Sequence, residues 1–66
     1  MRKVQFNNSI YSCITIEKAI QAYQFLATIQ ISKNKDYTEL TFVNCKYDTD
    51  VTIKEFENYM IGIENS

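Results

Sequence analysis

The stretch Thr52-Ile-Lys-Glu-Phe-Glu-Asn-Tyr-Met-Ile-Gly-Ile63 decides the reading of the fold, because its spacing, its start and its end all describe one helix. Ile53, Phe56, Met60 and Ile63 recur three or four residues apart on one stripe, while Lys54, Glu55, Glu57, Asn58 and Glu64 fall elsewhere. Thr52 and Glu55 have the spacing of a capping box, in which each side chain accepts a hydrogen bond from a backbone N–H that the first turn leaves unpaired. The stretch predicts an amphipathic C-terminal helix that starts at Thr52, is closed by Glu55 and buries Phe56.

Such a helix needs an apolar surface to cover, and the preceding segments supply it. Ile29 and Ile31 alternate with Thr28, Gln30 and Ser32, Lys33-Asn34-Lys35-Asp36 makes a polar turn, and a second alternating run begins at Tyr37. This is the pattern of a β-hairpin rich in β-branched and aromatic residues. On its second arm Leu40 and Phe42 face the helices and Tyr37, Glu39, Thr41 and Val43 the other side; the arm runs on to Cys45 or Tyr47 before Asp48-Thr49-Asp50 breaks it. Further back, Ile16, Ala19, Ile20, Tyr23, Leu26 and Ala27 form a helical stripe that either Ser12 or Thr15 can cap, with Phe25 at its flank. Arg2 to Phe6 alternates as a half-buried strand with Val4 and Phe6 on one side, and Asn7-Asn8-Ser9 is a turn.

The order β-α-β-β-α predicts a single small α+β domain over residues 1–66, a three-stranded sheet with two helices packed on one face. Strand order 1-2-3 and an order with strand 1 beside strand 3 are both open; we favour the second.

Composition narrows the function. No apolar run approaches the roughly 20 residues that span a bilayer, and Met1-Arg2-Lys3 leads into a polar alternating segment rather than a signal-peptide core, so a cytoplasmic protein with no membrane segment is expected. There is no histidine and only one glycine, Gly62, which leaves no common zinc pattern, no glycine-rich phosphate loop and no sequence-visible base for a serine or cysteine nucleophile. Cys13 and Cys45 are read as free thiols filling small apolar sites, with a disulfide between them as the alternative. Asp48 with Asp50 and Glu55 with Glu57 are read as a solvated turn and an outward helix face. We expect no catalysis and no cofactor.

Seven cations are offset by eight acids, so nucleic-acid binding, which depends on phosphate neutralisation, is not expected. The charges are uneven along the chain: residues 1–35 hold Arg2, Lys3, Lys18, Lys33 and Lys35 against Glu17, whereas the later half is acidic apart from Lys46 and Lys54. Interleaved halves would neutralise one another.

What remains is binding. Tyr11, Tyr23, Phe25, Tyr37, Tyr47 and Tyr59 are more aromatics than so small a core can hold, and tyrosine suits an interface because its ring buries area while its hydroxyl stays wet. Tyr37, Tyr47, Asn58 and Tyr59 are the candidate partner-binding residues. A three-stranded sheet also has two edges that can accept a strand from a peptide or from a second copy, so a homodimer is among the expectations.

Tyr11 ahead of a helix carrying Ile16, Lys18 and Ala19, the hairpin that follows, and the closing Glu55-Phe56-Glu57-Asn58-Tyr59-Met60 resemble the small His-Xaa-Ser system proteins of the D type (HxsD-like). The resemblance implies a non-catalytic accessory protein of a radical SAM peptide-maturation system, binding the precursor peptide, the maturase or both. The iron–sulfur clusters and S-adenosylmethionine would belong to the partner enzyme. The alternative is a stand-alone protein-interaction module, such as a small phage-type inhibitor or a regulatory homodimer.

Overall fold

Backbone hydrogen bonding divides the chain into β1 (Arg2–Asn7), α1 (Cys13–Tyr23), β2 (Thr28–Lys33), β3 (Tyr37–Val43) and α2 (Thr49–Glu64), in a computed structural model that describes residues 1–65. The sheet has the order β1-β3-β2, and both outer strands run antiparallel to β3. Strand 1 therefore lies beside strand 3, the order favoured from the sequence. The register places Val4 opposite Leu40, Phe6 opposite Thr38, Ile29 opposite Phe42 and Ile31 opposite Leu40, so these residues share the face that both helices cover. Lys3, Gln5, Gln30, Ser32, Tyr37 and Glu39 lie on the other face, which an antiparallel sheet can leave to water. Among the described residues no helix is long and apolar enough to cross a membrane.

Ser12 is the cap of α1: its hydroxyl accepts from the Thr15 N–H at 3.2 Å, and Thr15 lies inside the helix. The helix is shorter than its apolar stripe. Leu26 and Ala27 both donate their N–H to the Tyr23 carbonyl in a closing turn, which still delivers Ala27 to the core. β3 is also shorter than its pattern. Asn44 adopts a left-handed φ of 53°, and Lys46 donates to the Leu26 carbonyl at 2.7 Å, one residue out of step with the ladder. That extra residue ends the strand at Val43 rather than at Cys45 or Tyr47.

The capping box expected at Thr52 and Glu55 is not the start of α2. The helix begins three residues earlier, and Asp48 is its cap, accepting from the Val51 N–H at 3.0 Å through its carboxylate. A carboxylate there satisfies an orphan donor and also sits at the positive end of the helix dipole, which favours it over a hydroxyl one turn further on. Thr52 is buried inside the helix with its hydroxyl donating to the Asp48 carbonyl, and Glu55 is exposed and caps nothing. The stripe itself stands: Ile53, Phe56 and Met60 are buried and Ile63 is half-buried.

Phe56 is the centre of the core. Its ring meets Phe6 of β1 at 6.0 Å, Tyr23 of α1 at 5.5 Å and Phe42 of β3 at 5.3 Å between centroids, the last two edge-on. Such geometry adds about 0.5–1.5 kcal/mol per pair beyond area burial. The helices run antiparallel across this cluster, since Tyr23 at the end of α1 meets Phe56 and Tyr59 while the start of α1 meets Glu64 at the end of α2. Glu64 accepts from the Ser12 N–H at 3.0 Å and the Thr15 hydroxyl at 2.5 Å. These hydrogen bonds, Thr15 first, hold its carboxyl below the ordinary value.

Asn8 fastens the other end of the sheet. Its side chain donates to the Asn34 and Lys35 carbonyls and accepts from the Thr38 hydroxyl, tying the end of β1 to the hairpin turn. Both thiols are free. Cys45 is half-buried against the core, as a small apolar filler should be, but Cys13 is exposed at the first position of α1, because the inward stripe begins at Thr15 and Ile16.

Replacing Phe56 by alanine should cost about 3–5 kcal/mol, as much as a core of this size commonly supplies. Thermal melting should show loss of the cooperative transition, and a Tm near that of the parent would show that Phe56 is not the centre of packing. A lowered carboxyl stabilises the fold above its unfolded pKa and loses that contribution as pH falls through its folded value. The Tm difference between the parent and Glu64→Ala should therefore be largest near neutral pH and shrink below about pH 4. A difference that stays constant into acid would show that the Glu64 charge plays no part.

Candidate functional site

The four candidate residues do not form one patch. Tyr37 opens β3 on the helix-free face of the sheet, half-buried opposite Asn7. Tyr47 is 61% exposed in the loop before α2, with the Lys46 ammonium 5.8 Å from its ring centroid. Asn58 and Tyr59 are adjacent on α2, roughly 15 Å along the helix from its start at 1.5 Å per residue. Tyr59 is 43% exposed and spends one side of its ring on Tyr23, so it is partly structural. The Tyr23 hydroxyl is shifted above its ordinary pKa by burial first and by the charge of Glu55 second, which keeps it neutral.

A concave feature lies elsewhere, along the outer edge of β1. A groove of about 550 Å³ is lined by Arg2, Lys3, Val4 and Gln5 on the strand and by Asp50, Ile53, Lys54 and Glu57 on α2. The helical residues recur at steps of three and four, so one stripe of α2 forms one wall, and four consecutive strand residues form the other. Val4 and Ile53 belong to the core or pack against it and give the groove an apolar floor. Around the rim Arg2 pairs with Asp50, while Lys3, Lys54 and Glu57 have no partner among the described residues.

The groove adjoins unpaired backbone. Asn8 donates its N–H to the Asp36 carbonyl at 3.1 Å, which fixes the phase of the antiparallel ladder between β1 and β3. Bonded pairs alternate along such a ladder. Phe6 and Val4 therefore exchange bonds with Thr38 and Leu40, and Lys3 and Gln5 turn their N–H and C=O groups outward. An extended segment laid there would continue the sheet, with every second side chain directed into the groove.

The sequence points to strand addition at a sheet edge but not to this groove, because β1 is outermost in either strand order and only the packing of α2 beside it makes the second wall. Its signal was present: an alternating strand with Lys3 and Gln5 on one side, and the residues Asp50, Lys54 and Glu57 at helical spacing next to the buried stripe. The first acid pair has local roles, Asp48 as a cap and Asp50 in the ion pair with Arg2, whereas Glu55 and Glu57 lie on α2 with no such role among the described residues. Among the described residues no cluster of three or more histidine, cysteine, aspartate or glutamate side chains is arranged to hold a metal ion. Compared with known proteins, the chain matches no family model, no curated protein and no solved structure.

Both partners of the Arg2–Asp50 pair are more than half exposed, so water screens it. Asp50→Asn should change stability by less than about 1 kcal/mol; chemical denaturation showing a larger loss would mean that this pair fixes α2 against β1.

Proposed function

We propose that this chain is a non-catalytic binding module that takes an extended peptide segment as a fourth strand along β1, and that it works as an accessory of a radical SAM peptide-maturation system. The observation that supports the first part is the coincidence of the outward backbone groups of Lys3 and Gln5 with a groove beside them. Main-chain pairing gives affinity without demanding a sequence, and the alternate side chains supply selectivity. Residues of the added strand that point to the helix side would set an apolar group against Val4 and Ile53 and an acidic group near Lys54. The intervening residues would lie beside Lys3 and Gln5 on the helix-free face. An extended, mildly acidic segment with alternate apolar residues fits these walls best.

The second part rests on the resemblance of Tyr11, Ile16, Lys18, Ala19 and the run Glu55 to Met60 to the D-type His-Xaa-Ser proteins. In that setting the added strand comes from the precursor peptide or from the maturase, and the cluster and S-adenosylmethionine chemistry stays with the partner enzyme. Tyr47, Asn58 and Tyr59 would then contact parts of the partner outside the groove.

Gln5→Pro is the sharpest test of the edge. Proline removes an N–H that the ladder between β1 and β3 does not use and is tolerated on an edge strand in that position. The variant should fold with a cooperative melt and bind the precursor peptide or the maturase at least about tenfold more weakly than the parent, a loss of about 1.4 kcal/mol. Unchanged affinity in a titration would place the binding surface away from β1. If neither molecule binds the parent at micromolar concentration, the assignment to a maturation system fails.

A further inference from the structure

The sheet has a second edge, β2, and its chemistry differs from that of β1. Asn34 donates its N–H to the Tyr37 carbonyl at 2.9 Å, which sets the phase of the β2–β3 ladder. Ser32, Gln30 and Thr28 exchange bonds with Glu39, Thr41 and Val43, and Ile29, Ile31 and Lys33 turn their backbone groups outward. Edge strands are commonly blunted by charge or by proline. β1 carries Arg2 and Lys3, but β2 is uncharged from Thr28 to Ser32 and holds the exposed side chain of Ile31.

We infer that β2 is a homodimer edge, at which two copies of this chain pair antiparallel about a two-fold axis through Gln30 to make one six-stranded sheet. In that register Ile29 of each copy faces Ile31 of the other, and both are residues whose N–H and C=O groups point outward, so each such pair can exchange two hydrogen bonds. The four isoleucines make one continuous apolar ladder on the helix side. Thr28 meets Ser32 on the helix-free face. Lys33 falls past the paired segment, opposite the neutral Ala27, so no two like charges meet across the axis, and its ammonium keeps its own partners: Cys13 Sγ at 3.3 Å and Glu17 at 3.6 Å.

Area also favours a second copy over a free peptide at this edge. A specific interface takes about 800 Å² from each partner, a substantial share of this chain's 4538 Å² of accessible surface. A second copy brings its own α1 along the same edge, because Lys33 holds the start of that helix to the end of β2. Ile14 on α1 and Phe25 just after it, 65% and 83% exposed, are apolar side chains that such an approach can bury.

Pairing at β2 is independent of peptide binding at β1. Light scattering of the full chain should show a mass rising with concentration from 7.8 kDa to twice that value, and Ile31→Lys should hold the monomer mass at the same concentrations while keeping a cooperative melt. In a background with Cys13 and Cys45 changed to serine, Gln30→Cys should form a disulfide-linked dimer on mild oxidation. A residue facing itself across a non-bonded antiparallel pair has a Cα separation near 4.5 Å, within disulfide reach. Ser32→Cys, which faces Thr28 in this register, should not crosslink. A parent that stays monomeric at all concentrations overturns the inference, and so does a dimer in which Gln30→Cys fails to crosslink. Gln5→Pro should leave the mass unchanged, which separates this result from any failure at β1.

Discussion

Phe56 touches a ring from β1, a ring from α1 and a ring from β3, and the rest of the structure is arranged around that contact. In a chain of this size one buried aromatic is a large part of the driving force for folding, since only about 60% of the unfolded surface can be removed from water. The consequence reaches the surface. With Phe56 fixed against three elements, helical periodicity brings Ile53 to the groove floor together with Val4 and sets Lys54 and Glu57 along the space beyond the β1 edge. The groove is the outer side of the same packing that makes the core.

The ends of the helix pair are held by polar contacts rather than by more core. Glu64 reaches across to the first turn of α1, where unpaired N–H groups and the positive end of the helix dipole both favour a carboxylate. Asp48 does the same for α2 within its own loop. At the opposite side Asn8 ties β1 to the hairpin turn through both ends of its amide.

Much of the fold is legible in the sequence because its signals are periodic. Ile16, Ala19 and Tyr23, Ile53, Phe56 and Met60, and Leu40 with Phe42 each declare a face, and the faces found are the faces expected. The ends were harder to read. Asp48 and Thr52 are both good caps one turn apart, and only the observed bond to the Val51 N–H decides between them. The left-handed Asn44 that stops β3 looks like an ordinary polar residue in an alternating run. The candidate site is less legible still: exposed tyrosines draw attention by composition, whereas an unpaired strand edge has no residue signature and the groove beside it depends on the packing of α2. Tyr37 and Tyr59 show the limit of composition, one lying on the helix-free face and the other partly spent on Tyr23.

Central to this account is a free β1 edge next to α2, ready to accept a strand. Amide hydrogen exchange read residue by residue by NMR tests it most directly. In the unbound chain Val4 and Phe6, whose N–H groups face β3, should exchange slowly, while Lys3 and Gln5 exchange at rates near those of unstructured peptide; adding a strand-forming partner should slow Lys3 and Gln5 and leave Val4 and Phe6 little changed. Protection of Lys3 and Gln5 in the free chain, or no change there when a partner is bound, would contradict it.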